Sequence, residues 1–187
     1  MKKLKIISST TRPERKGKAI EQWITEYAAK HSEFEVELLD LEQIGLPLMN
    51  EVNHPRLQQY EHEHTKQWSR KIDEADAFII VLAEYNFGYP APIKNALDYL
   101  YKEWQYKPVG IVSYGGVSGG LRATQMLKQV LTTLKMMPLT EAVVLPFFQK
   151  KINSAGKFEA DEMAEQSAAA MLKELDKWAE AMKTMRG

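Results

Sequence analysis

The stretch Ala77-Phe78-Ile79-Ile80-Val81-Leu82-Ala83-Glu84-Tyr85-Asn86-Phe87-Gly88-Tyr89-Pro90-Ala91-Pro92-Ile93-Lys94-Asn95-Ala96-Leu97-Asp98 decides how this chain is organised. Its opening run, Ala77 to Ala83, is uninterruptedly apolar and reads as a central strand buried on both faces, which is the signature of a parallel sheet covered by helices. Glu84 to Pro90 then reads as a turn. Ile93, Ala96, Leu97 and Leu100 recur at one-face helical spacing, and Pro90 and Pro92 sit near the helix start, where a missing N–H costs little.

The same alternation extends in both directions. Toward the N-terminus, Leu4 to Ser8 predicts a strand and Ile20, Trp23, Ile24, Tyr27 and Ala28 a helix. Phe34 to Leu39 alternates like a less buried strand, and a long connection through Gly45 and Pro47 reaches about Tyr60 before a helix from Glu61 to Glu74. Toward the C-terminus, Val109 to Ser113 is the fourth strand, Gly115 to Gly120 a Gly-rich turn, and Leu121, Leu127, Val130, Leu131 and Leu134 a helical stripe. Ala142 to Leu145 is the fifth strand. Ala164, Ala168, Met171, Leu175, Trp178, Met182 and Met185 form a helical seam, widened by Ala169, Ala170 and Leu172, which predicts packing on the chain's own sheet rather than on a partner helix. The expected fold is one α/β domain over residues 1–187, a right-handed, doubly wound parallel sheet of five strands with helices on both faces.

Composition narrows the function. The 187 residues carry 25 Lys plus Arg against 25 Asp plus Glu, a net charge of zero, which argues against nucleic-acid binding by bulk charge. A chain of this mass buries roughly 70% of its unfolded surface. There is no cysteine, so disulfides and thiolate chemistry are excluded, in keeping with a cytoplasmic location. The Lys-rich start is followed only by Ile6-Ile7, too short for an export signal, and the longest apolar run is far below the ~20 residues of a bilayer span, so a soluble protein is expected.

In doubly wound sheets, ligands bind beyond the carboxyl ends of the strands, and three turns lie there. The first, Ser8-Ser9-Thr10-Thr11-Arg12-Pro13-Glu14-Arg15-Lys16-Gly17-Lys18, carries hydroxyls and cations before a helix start, a cradle for a terminal monophosphate that Arg12 or Lys16 would neutralise. It lacks both the dinucleotide glycine fingerprint and the ATP-loop pattern. The second, Glu84 to Pro92, offers Tyr85 and Phe87 to stack on a flat heterocycle. The third, Ser113 to Gly120, permits close backbone approach and also matches the nucleophile-elbow pattern around Ser118. A hydrolase reading lacks its proton acceptor, because His31, His54, His62 and His64 all precede Ser118. His54, His62 and His64 with Glu61 and Glu63 lack a further carboxylate pair, so no metal site is expected. Asp98 reads as a helix-surface charge.

Together these turns resemble those of the NAD(P)H-dependent FMN reductase family, a flavodoxin-like group that includes quinone, azo-dye and chromate reductases. Glu84-Tyr85-Asn86 continuing to Ile93-Lys94-Asn95-Ala96-Leu97-Asp98 is the most specific piece, with Ser113-x-Gly115-x-x-x-Gly119-Gly120-x-Arg122-Ala123 and Ser9-Thr10-Thr11-Arg12 beside it. The family usually has Gly-Ser where Ser9-Thr10 stands. The resemblance implies strand order 2-1-3-4-5. It further implies that Thr10, Arg12, Lys16, Gly17 and Lys18 surround the FMN phosphate, and that Glu84, Tyr85, Asn86 and Phe87 border the isoalloxazine. Ser113, Tyr114, Gly115 and Gly116 would close over its other edge. Hydride from NADPH or NADH would pass at flavin N5 without a catalytic side chain, and a small-molecule electron acceptor would follow on the same face. The family also implies a homodimer or homotetramer, with Trp68, Tyr99, Tyr101 and Trp104 as exposed-face aromatics. A flavodoxin-type electron carrier shares the fold, but the zero net charge and cationic first turn argue against it.

Overall fold

A computed structural model describes residues 1–186. The strands are β1 (Lys3–Ser8), β2 (Glu35–Asp40), β3 (Ala77–Ala83), β4 (Pro108–Gly115) and β5 (Met137–Pro146); the helices are α1 (Gly17–His31), α2 (Leu41–Ile44), α3 (Glu63–Asp73), α4 (Ala91–Asp98), α5 (Leu121–Thr133) and α6 (Glu162–Lys183). The five strands are all parallel in the order β2-β1-β3-β4-β5, as expected.

The apolar run of β3 serves two cores at once, because successive side chains point to opposite faces. Ile79 and Val81 join Ile6 of β1, Ile20 and Ile24 of α1, and Met171 and Leu175 of α6. Phe78, Ile80 and Leu82 join Trp68 and Ile72 of α3, Ile93 and Leu97 of α4, and Leu127 and Leu131 of α5. Register brings the carboxyl ends into line: Ser8 pairs with Asp40 and with Val81, and Val81 with Val112. The turns that follow β1, β3 and β4 therefore emerge on one edge. The seam of α6 lies on the chain's own sheet, and a Cβ at Gly110 would stand 2.6 Å from Met171 Sδ, which fixes how closely that helix approaches β4. Met185 lies beyond the end of this helix.

Three details differ from the sequence reading. The fifth strand begins at Met137, not Ala142, because β5 is an edge strand, where the missing N–H of Pro138 is tolerated. The connection after β2 contains a short helix, capped by Asp40, whose carboxylate accepts from Glu42 N at 3.0 Å, and ended by Gly45 in left-handed backbone. Trp68, Tyr99 and Trp104 are not exposed but buried, with Trp68 Nε1 donating to Ala96 O at 2.9 Å and Trp104 Nε1 to Leu97 O at 3.1 Å; Tyr101 is half-buried. Trp68, Tyr99 and Trp104 belong to the core between the sheet and the helices α3 and α4 and offer no surface to a partner. Among the described residues, no helix is long and apolar enough to cross a membrane.

Candidate functional site

The first turn is held from below. Ser9 N donates to Val81 O at 3.1 Å and Ser9 Oγ accepts from Ala83 N at 3.2 Å, tying the turn to the end of β3. Arg15, which is buried, meets Asp40 Oδ1 at 2.5 Å, Glu42 through its other terminal nitrogen, and Glu21 Oε1 at 3.5 Å. Burial opposes the guanidinium charge, but the bonds from Glu42 and Asp40 outweigh it and raise the pKa. Burial pushes the Glu21 carboxyl up despite the hydrogen bond donated by Ser8 Oγ at 2.5 Å. The two terminal nitrogens of Arg15 are engaged by Asp40 and Glu42, while its buried Nε has no hydrogen-bond partner; Arg12 and Lys16 stand exposed and form no ion pair among the described residues. No side chain caps the start of α1 and no acid lies in its first turn, so its positive dipole end meets no anion of the chain, although Lys18 N and Ala19 N bond to Arg15 O at 3.4 Å and Lys16 O at 3.3 Å.

The turn after β3 is tight. Tyr85 and Gly88 exchange two backbone hydrogen bonds of 2.9 Å, and Asn86 and Phe87 between them have φ of 50° and 70°. Two left-handed central residues make a type I′ turn, unusual for a phenylalanine. Tyr85 and Phe87 are thereby presented to solvent. The Glu84 carboxylate caps α5: it accepts from Ser118 Oγ at 2.8 Å, Arg122 Nη1 at 3.0 Å, and the backbone N–H groups of Arg122 at 3.1 Å and Ala123 at 3.4 Å. Burial would raise its pKa, but these donors hold it below the ordinary carboxylate range. Ser118 is thus engaged by a carboxylate rather than by a histidine. His62 and His64 stack at 5.1 Å and bond to Asn50, on the connection that precedes α3.

At the end of β4, the Tyr114 ring packs edge-on against Phe148 at 4.8 Å, and burial raises its hydroxyl pKa. Its hydroxyl oxygen lies 2.2 Å from where a Cβ on Gly17 would stand, so only glycine fits there. Thr10 Oγ1 and Ser113 Oγ are buried without a hydrogen-bond partner. Phe147 N donates to the carbonyls of Gly115 at 3.1 Å and Gly116 at 3.2 Å, which brings the segment after β5 onto the same edge.

These pieces enclose a cavity of about 230 Å³. Of the residues expected from sequence, Arg12, Lys16, Gly17, Glu84, Tyr85, Tyr114, Gly115 and Gly116 line it. Thr10 and Ser113 are buried, Asn86 and Phe87 are exposed in the turn above, and Lys18 turns to Glu42 at 3.1 Å. Sequence reasoning missed Arg15, Phe148 and Gln149, which also line the cavity. The rule that ligands gather at strand carboxyl ends covers the segment after β5 as well and would have found the last two. A larger cavity of about 530 Å³, around Asp73, Asp76 and Lys107, lies at the amino ends of the strands, away from these turns.

Comparison with known proteins shows the family and the fold. The sequence model of the family described as NADPH-dependent FMN reductase matches residues 2–150. An NAD(P)H-dependent FMN reductase of Schizosaccharomyces pombe is 43% identical over 154 residues, covering 77% of this chain and 74% of its own. An NAD(P)H-dependent FMN reductase of Nectria sp is 35% identical over 154 residues, covering 79% and 76%. The solved flavoenzyme NAD(P)H:(acceptor) oxidoreductase of Paracoccus denitrificans shares the fold with a TM-score of 0.71 at 21% identity, covering 98% of each chain.

Proposed function

The chain belongs to the NADPH-dependent FMN reductase family, and from that premise we propose that it is an oxidoreductase that holds FMN at the junction of its turns and passes electrons from NAD(P)H to a small acceptor such as a flavin, a quinone or an azo compound. The observation that carries this reading is the single cavity lined at once by Arg12, Lys16 and Gly17, by Glu84 and Tyr85, and by Tyr114, Gly115 and Gly116.

The residues suit the group. The unpaired hydroxyl of Thr10, the free cations of Arg12 and Lys16 and the uncapped start of α1 would hold a phosphate dianion. Gly115 and Gly116 let backbone N–H groups come within hydrogen-bond reach of a ring edge, and Tyr85 offers an exposed face for stacking. When bound, FMN supplies hydride acceptance and electron return. The chain itself binds, orients and excludes water, and no side-chain acid or base is needed for hydride movement between stacked rings. Acceptor breadth is supported by relatives whose names are NAD(P)H:quinone oxidoreductase, from Solanum tuberosum, and NADPH azoreductase, from a Bacillus. Assembly as a homodimer or homotetramer in the cytoplasm belongs to the same reading, with Leu48, Val52 and Leu57 as exposed apolar surface.

The test is to purify the protein, release and identify any chromophore with acid, and add NADPH or NADH without oxygen. Bleaching by a nicotinamide donor followed by recolouring with a quinone is the expected result. A yellow protein reduced only by a partner redox protein would make it a carrier instead, and failure to take up FMN would end the proposal.

A further inference from the structure

Arg12 and Lys16 would answer one phosphate dianion, and two more cations stand on exposed rings close in sequence to cavity-lining residues, Phe87 after Tyr85 and Phe147 before Phe148. The Arg122 guanidinium lies 4.1 Å from the centre of the Phe87 ring, and the Lys150 ammonium 5.3 Å from that of Phe147. Both rings belong to residues in left-handed backbone, with φ of 70° and 49°, and both are exposed, at 63% and 47%. Strained backbone of this kind gathers at ligand sites, where it aims a side chain that a relaxed turn would not. Each loop is anchored to a cavity wall, one through Glu84 and Arg122, the other through Phe147 N on the carbonyls of Gly115 and Gly116. The Glu84 carboxylate already accepts from Ser118 and from the backbone of α5, and the Arg122 guanidinium gives it only Nη1. The rest of the guanidinium fork has no partner among the described residues, and Lys150 has no ion pair there.

We propose that Arg122 on Phe87, aided by Lys150 on Phe147, forms a second anion subsite that takes the phosphorylated ribose of the dinucleotide donor, and that Arg122 makes NADPH preferred over NADH. The proposal rests on the reading that FMN in this cavity is reduced by a nicotinamide donor. The 2′-phosphate is the only chemical difference between the two donors. A guanidinium fork matches a phosphate with paired hydrogen bonds, while its stacked ring offers a face to the neighbouring base.

The experiment titrates the FMN-loaded and FMN-free protein with 2′,5′-ADP and with 5′-AMP, and measures kcat/KM for both donors. The native chain should bind 2′,5′-ADP about tenfold more tightly than 5′-AMP, the scale of one charge-assisted hydrogen bond. Arg122→Gln should abolish that preference and lower the NADPH-to-NADH ratio of kcat/KM by the same factor, and Arg122→Lys should restore part of it. Lys150→Gln should weaken both nucleotides. Phe87→Ala, which leaves the Glu84 contacts in place, should also weaken both, and it stands in should Arg122→Gln fold poorly. Equal binding of the two nucleotides by the native chain, or an unchanged preference in Arg122→Gln, would overturn the subsite. A protein that retains FMN and is bleached equally by both donors sinks this inference alone, whereas one that never binds FMN sinks the reading beneath it.

Discussion

The hydroxyl oxygen of Tyr114 stands 2.2 Å from the point where a Cβ on Gly17 would project. The first turn of α1 and the end of β4 therefore interlock through a residue with no side chain, and the cation-bearing turn is registered against the Gly-rich one. Gly17→Ala should lose about 1–3 kcal/mol through overpacking, although alanine ordinarily favours a helix. FMN affinity should fall with it. Adding Tyr114→Phe should recover only part of the loss, because the Tyr114 Cζ lies 2.9 Å from the same point. Urea unfolding and flavin-fluorescence titration of both variants would check this; full independence of the two substitutions would refute the interlock.

Arg15 answers the buried charges of Asp40 and Glu21 and the half-exposed Glu42. Removing one partner of a buried ionic cluster typically costs about 3–5 kcal/mol, so Arg15→Met should be strongly destabilised and should retain FMN poorly. Arg15→Lys should fall between, since an ammonium cannot reach all three carboxylates in one plane. The denaturant midpoint of the FMN-free protein separates the stability effect from the binding effect.

Glu84 caps α5 with a carboxylate whose pKa lies below its ordinary value. A depressed acid stabilises above its unfolded pKa and loses that contribution as pH falls through the folded one. Glu84→Gln should cost about 1 kcal/mol at neutral pH, the scale of a charged helix cap. The gap between native and variant should begin to narrow as pH falls below about 4, near the unfolded value, and close only below the depressed folded value. A gap that did not narrow at all on acidification would assign the effect to shape, not charge.

Lys107 is buried at 3% exposure, and its ammonium donates to the carbonyls of Ile72 and Asp73, both at 2.8 Å. Burial lowers its pKa from 10.5 to about 8, with Asp73 opposing. Because the unfolded chain keeps the proton longer, stability contributed by this residue rises with pH between about 8 and 10.5. Across that window the native protein should gain up to about 3 kcal/mol relative to Lys107→Met, at roughly 1.4 kcal/mol for each tenfold difference in proton affinity between the folded and unfolded chains. Parallel unfolding curves for the two proteins at pH 7.5 and 10 would read it, and the rising Tyr ionisations common to both cancel in the difference.

The sheet was legible because β3 is apolar without interruption and is served by helices of visible period on either side. Strand order was not in that periodicity; it came with the likeness of Glu84 to Asp98 to a known family. Local chemistry hid the rest. Met137 to Thr140 lacks alternation because an edge strand relaxes the demand for it, and Trp68 and Trp104 looked like surface because their indole N–H groups bond to α4 carbonyls inside the core. In the site, Arg12 and Lys16 could be read as cations, but the distinction between them and Arg15 depends on Asp40 and Glu21, which lie 25 and 6 positions further along the chain and meet Arg15 only after folding.

The two cores on opposite sides of the sheet carry separate optical reporters. Trp68 and Trp104 lie 6.0 Å apart on one side, while Trp23 packs with Phe158 on the other. Emission from variants that retain indoles on a single side would reveal whether both layers melt in one transition or whether the layer bearing α1, and with it the cation turn, loosens first.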